Sequence, residues 1–199
     1  PLASTRVVRV AANSSAADFE IGRGNYAYLY VVMIPFFVVC GNFKKLINLN
    51  ASKRAFYLGS ILTYVIAAFA VSAVNTVIHL TLDRMSAAAA VFNVLDLFNW
   101  WPNGVAIAFI QQFCFLLRLA VFLHILLSMQ SQWYGKVVDI LLVAVISLFI
   151  PISVLRPFLV AFIGLFVTNG TPWLHIIVTI AATIALYFAG LGVLKHKKI

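Results

Sequence analysis

The chain has 199 residues, of which 64% are hydrophobic and only 10% are charged, and its formal net charge is +9. Soluble domains usually carry about 25% charged residues, and apolar runs of roughly 20 residues recur along the whole chain, which is the pattern of membrane-spanning helices. The alternating segments of about 10 residues that are typical of a transmembrane barrel are absent. The basic charge does not indicate a nucleic-acid partner, because cytoplasmic loops of membrane proteins are rich in Lys and Arg. Composition therefore predicts an all-α, polytopic membrane protein.

In chain order, residues 1–24 are polar and are predicted to form an external tail or loop, and residues 25–199 are predicted to form a single transmembrane domain. Pro35 lies within the first span and is expected to interrupt its backbone hydrogen bonds. The loop 81–103 ends in "NWWPNG", an aromatic cluster typical of a membrane interface. Five spans are predicted, over residues 25–43, 57–80, 105–127, 137–154 and 173–194.

The region 137–167 is too long for one comfortable crossing of a hydrocarbon core about 30 Å thick, and it is too short for two crossings. Pro151 and Pro157 interrupt it in the middle. The predicted solution is one span that ends near residue 154, followed by a re-entrant or interfacial helix over 157–167.

The cations fix the predicted orientation. With five spans, the loops 44–56 and 128–136 and the C-terminus share one side of the membrane, and this side has more Lys and Arg and fewer acids than the other. The bias makes it the cytoplasmic side, so the expected location is the plasma membrane with a cytoplasmic C-terminus. The external start of the chain leads us to expect a sixth helix before Pro1.

The first cytoplasmic loop contains "NASKRAFY", residues 50–57. This segment is predicted to form a short amphipathic helix that Asn50 or Ser52 caps. In that helix Lys53 and Arg54 face the cytosol or lipid phosphates, while Phe56 packs inward. A simple positive-inside anchor with no partner explains the same pattern equally well.

The segment "INLNASKRAFYLGSIL", residues 47–62, resembles the cytoplasmic loop of ABC-2 type exporter permeases. The resemblance covers about residues 20–199 and includes the re-entrant hairpin before the last helix. It implies a six-span permease subunit, a second permease subunit as homo- or heterodimer, and a separate cytoplasmic ATPase that holds ATP and Mg²⁺. The chain itself lacks the Walker motif G-x-x-x-x-G-K-[ST] and is therefore not expected to be an enzyme or to hold a cofactor. The implied ATPase contact is the coupling helix: Asn50, Ser52, Lys53, Arg54, Ala55 and Phe56.

Polar residues inside the second span share one helix face, because Ser72, Asn75 and His79 recur at helical spacing together with Ala68 and Thr76. Such a face either packs against other helices through hydrogen bonds or lines a path for a transported molecule. Both interpretations are open from the sequence.

The third span carries Gln111 and Arg118 seven residues apart, on one face. A charge in the middle of a span costs at least about 2.5–3.5 kcal/mol, so Arg118 is expected to face the bundle. Its partner is Gln111, a backbone carbonyl or a second subunit, and its role is structural or part of a translocation path. His79 and His124 are predicted to be hydrogen-bonded core residues, since no metal-binding motif accompanies them. Cys40 and Cys114 lie in apolar runs and are predicted to be buried free thiols.

These features favour a permease subunit of an ATP-driven exporter for a hydrophobic or amphipathic cargo, such as a peptide or a drug-like molecule. The alternative is a membrane scaffold or immunity protein that sequesters a peptide without ATP. A membrane enzyme is disfavoured, because the span interiors hold no acid except Asp139 near the cytoplasmic edge.

Overall fold

The computed structural model describes residues 19–50, 52–85, 90–168 and 171–196. The predicted tail therefore lies almost entirely outside the described residues. Helices make up nearly all of the described chain, which confirms the all-α prediction. Among the described residues, four helices are long and apolar enough to cross a membrane, and they fall on the predicted spans 25–43, 57–80, 105–127 and 173–194. Helix α1 is Arg23–Asn48, α2 is Lys53–Asp83, α4 is Val105–Met129 and α7 is Pro172–His196.

Helix α1 has an irregular backbone in its second half. The α-helical part Tyr28–Phe36 contains Pro35, and it is followed by π-helical hydrogen bonding over Phe37–Asn42 and a last α-helical segment, Phe43–Asn48. Proline has no N–H to donate to the preceding turn, and π segments are commonly found where regular helical bonding is interrupted. The irregularity predicted at Pro35 is therefore present next to it.

Helix α2 follows after a left-handed turn at Asn50, where φ is 62°. The Ser52 hydroxyl accepts a hydrogen bond from the Ala55 N–H at 3.1 Å, which is the N-cap predicted from the sequence. The helix is α-helical over Lys53–Ile78 and π-helical over His79–Asp83. The ends of the bundle are named after this helix, as the Lys53 end and the Asp83 end.

The loop predicted over 81–103 contains more structure than expected. Strand β1, Phe19–Ile21, pairs in parallel with strand β2, Ala90–Phe92, and the short helix α3, Val94–Leu97, follows β2. A 3₁₀ turn, Trp101–Asn103, then leads to Gly104. Gly104 has a φ of 95°, a conformation that favours glycine, and it directly precedes α4. The two strands are a small addition to an otherwise helical fold.

Two shorter helices connect α4 to α7. Helix α5 is Trp133–Phe149, with 17 residues, and helix α6 is Arg156–Phe166, with 11 residues. They occupy the regions predicted as the fourth span and the re-entrant segment. Since α5 is shorter than the four spanning helices, the count of five spans stays a prediction, as does the re-entrant path of α6.

In the part of the chain that the structure describes, the core consists of three apolar clusters along the bundle. At the Lys53 end, Phe43, Phe56, Tyr57 and Leu194 join α1, α2 and α7. The middle cluster joins α1, α2 and α4, and the cluster at the Asp83 end packs Leu95 and Trp100 against α4. The middle cluster contains Val31, Tyr64, Ala68, Val71, Leu116, Ala120, Val121 and Ile125.

Candidate functional site

The polar face predicted on α2 is buried in the structure. Ser72 and Asn75 are fully buried and His79 is 6% exposed. Ala68 and Thr76 are buried on the same face. The helical spacing therefore identified the side of α2 that faces the bundle, as 3.6 residues per turn requires.

At the Asp83 end this face enters a hydrogen-bonded cluster, the Asp83 network, which contains Asn75, His79, Asp83, Asn93 and Asp96. The Asn93 amide donates to the Asp83 carboxylate at 2.7 Å and to the Asn75 side-chain oxygen at 3.1 Å. Its own oxygen accepts from the Leu95 N–H at 3.0 Å, which caps α3. Asn93 thus joins the 90–97 segment to the end of α2.

The Asp83 carboxylate is buried but well supplied with donors. Besides the Asn93 amide, the Arg23 backbone N–H lies at 3.2 Å from it and the His79 Nδ1 at 3.3 Å. A buried carboxylate is tolerated only when its oxygens accept hydrogen bonds or pair with a cation. The network therefore fixes the start of α1 on the end of α2.

Two glycines permit this close packing. A Cβ at Gly24 would overlap the Asn75 side chain, and a Cβ at Gly22 would lie 2.9 Å from the Asp83 carboxylate. The Asn75 amide also donates to the Tyr28 hydroxyl at 3.1 Å. The segment that enters α1 consequently lies directly on α2.

His79 lies between two carboxylates. Its Nε2 is 3.5 Å from the Asp96 carboxylate, on the opposite side of the ring from Asp83, and Trp101 packs edge-on at 4.4 Å between ring centroids. Burial raises the pKa of the Asp96 carboxyl and Asp83 adds to this rise, while His79 and Arg84 oppose it. The Asp96 carboxyl therefore keeps its proton to a higher pH than a carboxyl in water.

In the middle of the bundle, α2 and α4 are joined by a buried pair. The Tyr64 hydroxyl and the His124 Nδ1 are 2.7 Å apart, and the Tyr57 ring packs on the same histidine at 5.2 Å. This confirms His124 as a hydrogen-bonded core residue. Within the described residues no group of three or more His, Cys, Asp or Glu side chains is placed to hold a metal ion.

Of the three partners predicted for Arg118, a backbone carbonyl is the one that it contacts in this chain. Its Nη2 donates to the backbone carbonyl of Phe166 at 3.2 Å. The His175 Nε2 lies 2.9 Å from the same oxygen, and the Trp100 indole N–H donates to the Val167 carbonyl at 2.8 Å. Three side chains from three elements therefore hold the C-terminal carbonyls of α6, and this arrangement is called the α6 clasp.

Gln111, the residue predicted to share a face with Arg118, contributes to the clasp indirectly. Its amide nitrogen lies 3.5 Å from the His175 Nδ1, and its oxygen accepts from the Asn103 side chain at 3.1 Å. Since the Phe166 carbonyl can only accept, the His175 proton lies on Nε2, and Nδ1 is free to accept from Gln111. Gln111 thus orients His175 toward the clasp.

Several buried polar side chains have no hydrogen-bond partner within the described residues. They are distributed over α2, α4 and α7, and their donors and acceptors are not used by neighbouring helices. The set comprises Ser72, Thr76, Gln112, Ser128 and Thr179. Only part of the buried polar surface is therefore used for helix packing.

At the Lys53 end, the predicted coupling helix is not a separate element. Lys53, Arg54, Ala55 and Phe56 form the first turn of α2, which continues without a break, so the prediction of a short independent helix over 50–57 is wrong. Phe56 is buried as predicted, and Arg54 is exposed. The Ser52 cap starts the helix at Lys53, two residues later than a cap at Asn50 would have done, and the apolar residues that follow continue the same helix.

Four residues of these clusters were not predicted from the sequence. Asp83 lies four residues after His79 and could have been found from that spacing. Asn93, Trp100 and His175 are brought to their partners by tertiary packing, and no local pattern indicates them. Cys114 is buried as predicted, but Cys40 is exposed on the outer surface of α1, so its predicted burial is wrong, although both thiols are free.

Comparison of the chain with protein-family models, with curated proteins and with solved structures found no match.

Proposed function

We propose that this chain is the membrane-spanning permease subunit of an ATP-driven exporter of the ABC-2 type. It moves a hydrophobic or amphipathic cargo, such as a peptide or drug-like molecule, out of the cytosol or the inner leaflet. A cytoplasmic ATPase subunit binds ATP and Mg²⁺, and a second permease subunit completes the transporter. The observation that carries the proposal is the cationic turn that begins α2 directly, so that a partner at this turn acts on a spanning helix.

The continuity of α2 gives this turn a mechanical role. Arg54 is exposed, while the adjacent Phe56 and Tyr57 are buried against α1 and α7. The Tyr57 hydroxyl also donates to the Tyr187 carbonyl of α7 at 3.1 Å, and Gly190 leaves room for the tyrosine. A displacement of the turn is therefore transmitted to α7 as well as to α2.

The same helix reaches the far end of the bundle. The Tyr64–His124 pair joins it to α4 in the middle, and Asn75 joins it to the Asp83 network. Closure of the ATPase around nucleotide would thus shift α2 against its neighbours at three levels. A ligand changes the balance between two such states only by binding them with different affinity, so the cargo binds the inward-facing state more tightly than the outward-facing one.

The α6 clasp supports a gate at the Asp83 end in this proposal. Helix α6 is held there by Trp100, Arg118 and His175. Because these side chains come from the 90–101 loop, α4 and α7, a shift of α4 relative to α7 would loosen α6. Release of the cargo would follow from this step.

The experiment that tests the proposal is affinity purification of the full-length protein from its native membrane. We expect a nucleotide-binding ATPase to be recovered with the unmodified chain and to be lost when Lys53→Glu and Arg54→Glu are combined. Charge reversal replaces attraction to the acceptors of the partner by repulsion.

The matched control is Lys44→Glu combined with Lys45→Glu, which makes the same change of charge at the same end of the bundle but on α1. This variant is expected to retain the ATPase. Equal loss from both double variants would reduce the turn to a general positive-inside anchor. Absence of an ATPase from every sample would instead favour the scaffold that sequesters a peptide without ATP.

A further inference from the structure

Arg118 is a cation in a spanning helix, and no acid among the described residues forms an ion pair with it. The ion pairs found among the described residues involve Glu20, Asp83 and Asp96, all at the Asp83 end, and none of them reaches Arg118. The described acid Asp139 accepts from Gln130 near the Lys53 end. A positive charge within an apolar span is costly unless it is neutralised.

The surroundings of the guanidinium hold its position but use little of its hydrogen-bonding capacity. Its faces are covered by the rings of Phe166, at 4.9 Å from the centroid, and Phe115, at 5.4 Å. Of its five N–H donors, only one Nη2 proton has an acceptor among the described residues, the Phe166 carbonyl. The remaining edge of the guanidinium is the part that could bind a further acceptor.

The C-terminal end of α6 does not neutralise this charge by itself. A helix C-terminus carries a partial charge of roughly −0.5, and the Phe166 carbonyl is shared with His175. Arg118 is half-buried, so part of its side chain is accessible from outside the bundle. The group that would complete the site is an anion that accepts two parallel hydrogen bonds, which is the geometry of a carboxylate or a phosphate.

We propose that Arg118 is the binding site for the carboxylate or phosphate group of an amphiphile whose apolar part lies along α6. The aromatic rings of Phe115 and Phe166 hold the guanidinium so that its free edge is presented to the anion. Within the proposed exporter, on which this last step rests, the site restricts the cargo to amphiphiles with an anionic group.

The test uses the purified full-length chain in micelles of an uncharged maltoside detergent, which has no carboxylate or phosphate group, without any ATPase. Retention of oleate is compared with retention of neutral oleamide, and retention of lysophosphatidic acid is compared with that of neutral monoolein. We expect at least one anionic probe to bind about tenfold or more tightly than its neutral counterpart. The anion accepts charge-assisted hydrogen bonds from the guanidinium, and these are stronger than the hydrogen bonds that the neutral probe can accept. Preference for oleate alone points to a free acid or peptide carboxylate, and preference for lysophosphatidic acid points to a lipid phosphate.

Two variants connect the preference for anions to Arg118. Arg118→Gln is expected to abolish this preference. Arg118→Lys is expected to keep part of the preference, because the positive charge remains but the planar pair of guanidinium donors is lost. The lysine variant also keeps a donor for the Phe166 carbonyl, so it provides the comparison if the glutamine variant does not yield a monodisperse protein. Lys195→Gln removes an exposed cation at the Lys53 end and is expected to leave binding unchanged.

Equal binding of both anionic probes and their neutral counterparts by the unmodified chain would overturn the proposal. A preference for anions that survives unchanged in Arg118→Gln or Arg118→Lys would also overturn it. Since no ATPase is present, this result does not depend on the affinity purification that tests the exporter, and either proposal can fail while the other stands.

Discussion

The four long helices and the α5–α6 pair have similarly apolar sequences, but they differ in what they bury. Helix α2 buries nine residues over Lys53–Ile78. By contrast, α5 buries only Gly135, and α6 buries none of its residues. Helix α6 is instead attached through its C-terminal carbonyls, by the α6 clasp. The protein thus combines a bundle with side chains interlocked along its length and a helical pair that is fixed at a few points.

The difference shows which property of a membrane helix determines packing. Apolar side chains gain little by leaving lipid for the protein interior, so small and polar residues mark the packed faces. Helices α2 and α4 carry Asn75, Gln111 and His124 on their buried faces. On α5 the polar Ser147 is exposed. Hydrophobicity therefore identifies the helices, and their polar residues identify the bundle.

The strongest way to break the bundle is to remove Asn93. Asn93→Ala deletes the hydrogen bonds to Asn75, Asp83 and the Leu95 N–H and leaves those buried groups unsatisfied. With about 1–3 kcal/mol for each unsatisfied buried group and partial relaxation, we expect the free energy of unfolding to fall by about 3 kcal/mol. Thermal or denaturant unfolding in detergent measures this change.

Asn48→Ala is the matched control, because Asn48 is exposed at the Lys53 end. This substitution should change the free energy of unfolding by no more than about 0.5 kcal/mol, as is usual for surface positions. A similar loss of stability in both variants would mean that the Asp83 network does not stabilise the bundle.

A smaller change should loosen the α5–α6 pair alone. Trp100→Phe removes the indole N–H that donates to the Val167 carbonyl and keeps most of the aromatic packing. The loss of one hydrogen bond of about 1 kcal/mol corresponds to a factor of about five in a local opening equilibrium. Hydrogen exchange of the amides at residues 163–167 is therefore expected to become about fivefold faster, while exchange in α4 stays the same.

The control for this prediction is Trp173→Phe, the same change at a side chain that is 65% exposed. It should leave exchange in α6 unaffected. If Trp100→Phe instead accelerated exchange uniformly in α4 and α6, the two regions would form one cooperative unit and the contrast between them would not hold.

Much of this contrast was predictable from the sequence. Apolar run length located the four spanning helices to within a few residues, and the 3.6-residue period identified Ser72, Asn75 and His79 as one buried face. The cost of an intramembrane charge predicted that Arg118 faces the protein, and the structure pairs it with one of the three expected partners, a backbone carbonyl.

The pairings themselves were not predictable. Tyr64 and His124 are 60 residues apart, and nothing local to either residue indicates the other. The two strands have three residues each, too few for a period to be recognised. The predicted coupling helix merged with α2 because a Ser cap and an apolar continuation do not show where one helix ends and another begins.

The smallest expected effect concerns pH and the edge of the Asp83 network. Burial raises the pKa of the Asp96 carboxyl, so the folded protein takes up this proton at a higher pH than the unfolded chain does. The stabilising contribution of this proton is complete below the unfolded pKa and is lost as pH rises through the folded pKa. Above the folded pKa the carboxylate is charged and partly desolvated, and Asp96→Asn removes that charge.

We therefore expect Asp96→Asn to be slightly more stable than the unmodified chain at neutral pH, with the difference in melting temperature narrowing as pH falls through the acidic range. Glu20→Gln changes an acid outside the Asp83 network in the same way. Its difference in melting temperature from the unmodified chain should not show the same narrowing as pH falls. A difference that widens toward acidic pH would mean that the attraction of His79 and Arg84 outweighs burial, so that the Asp96 carboxylate stabilises the junction of α3 with α2 by its charge.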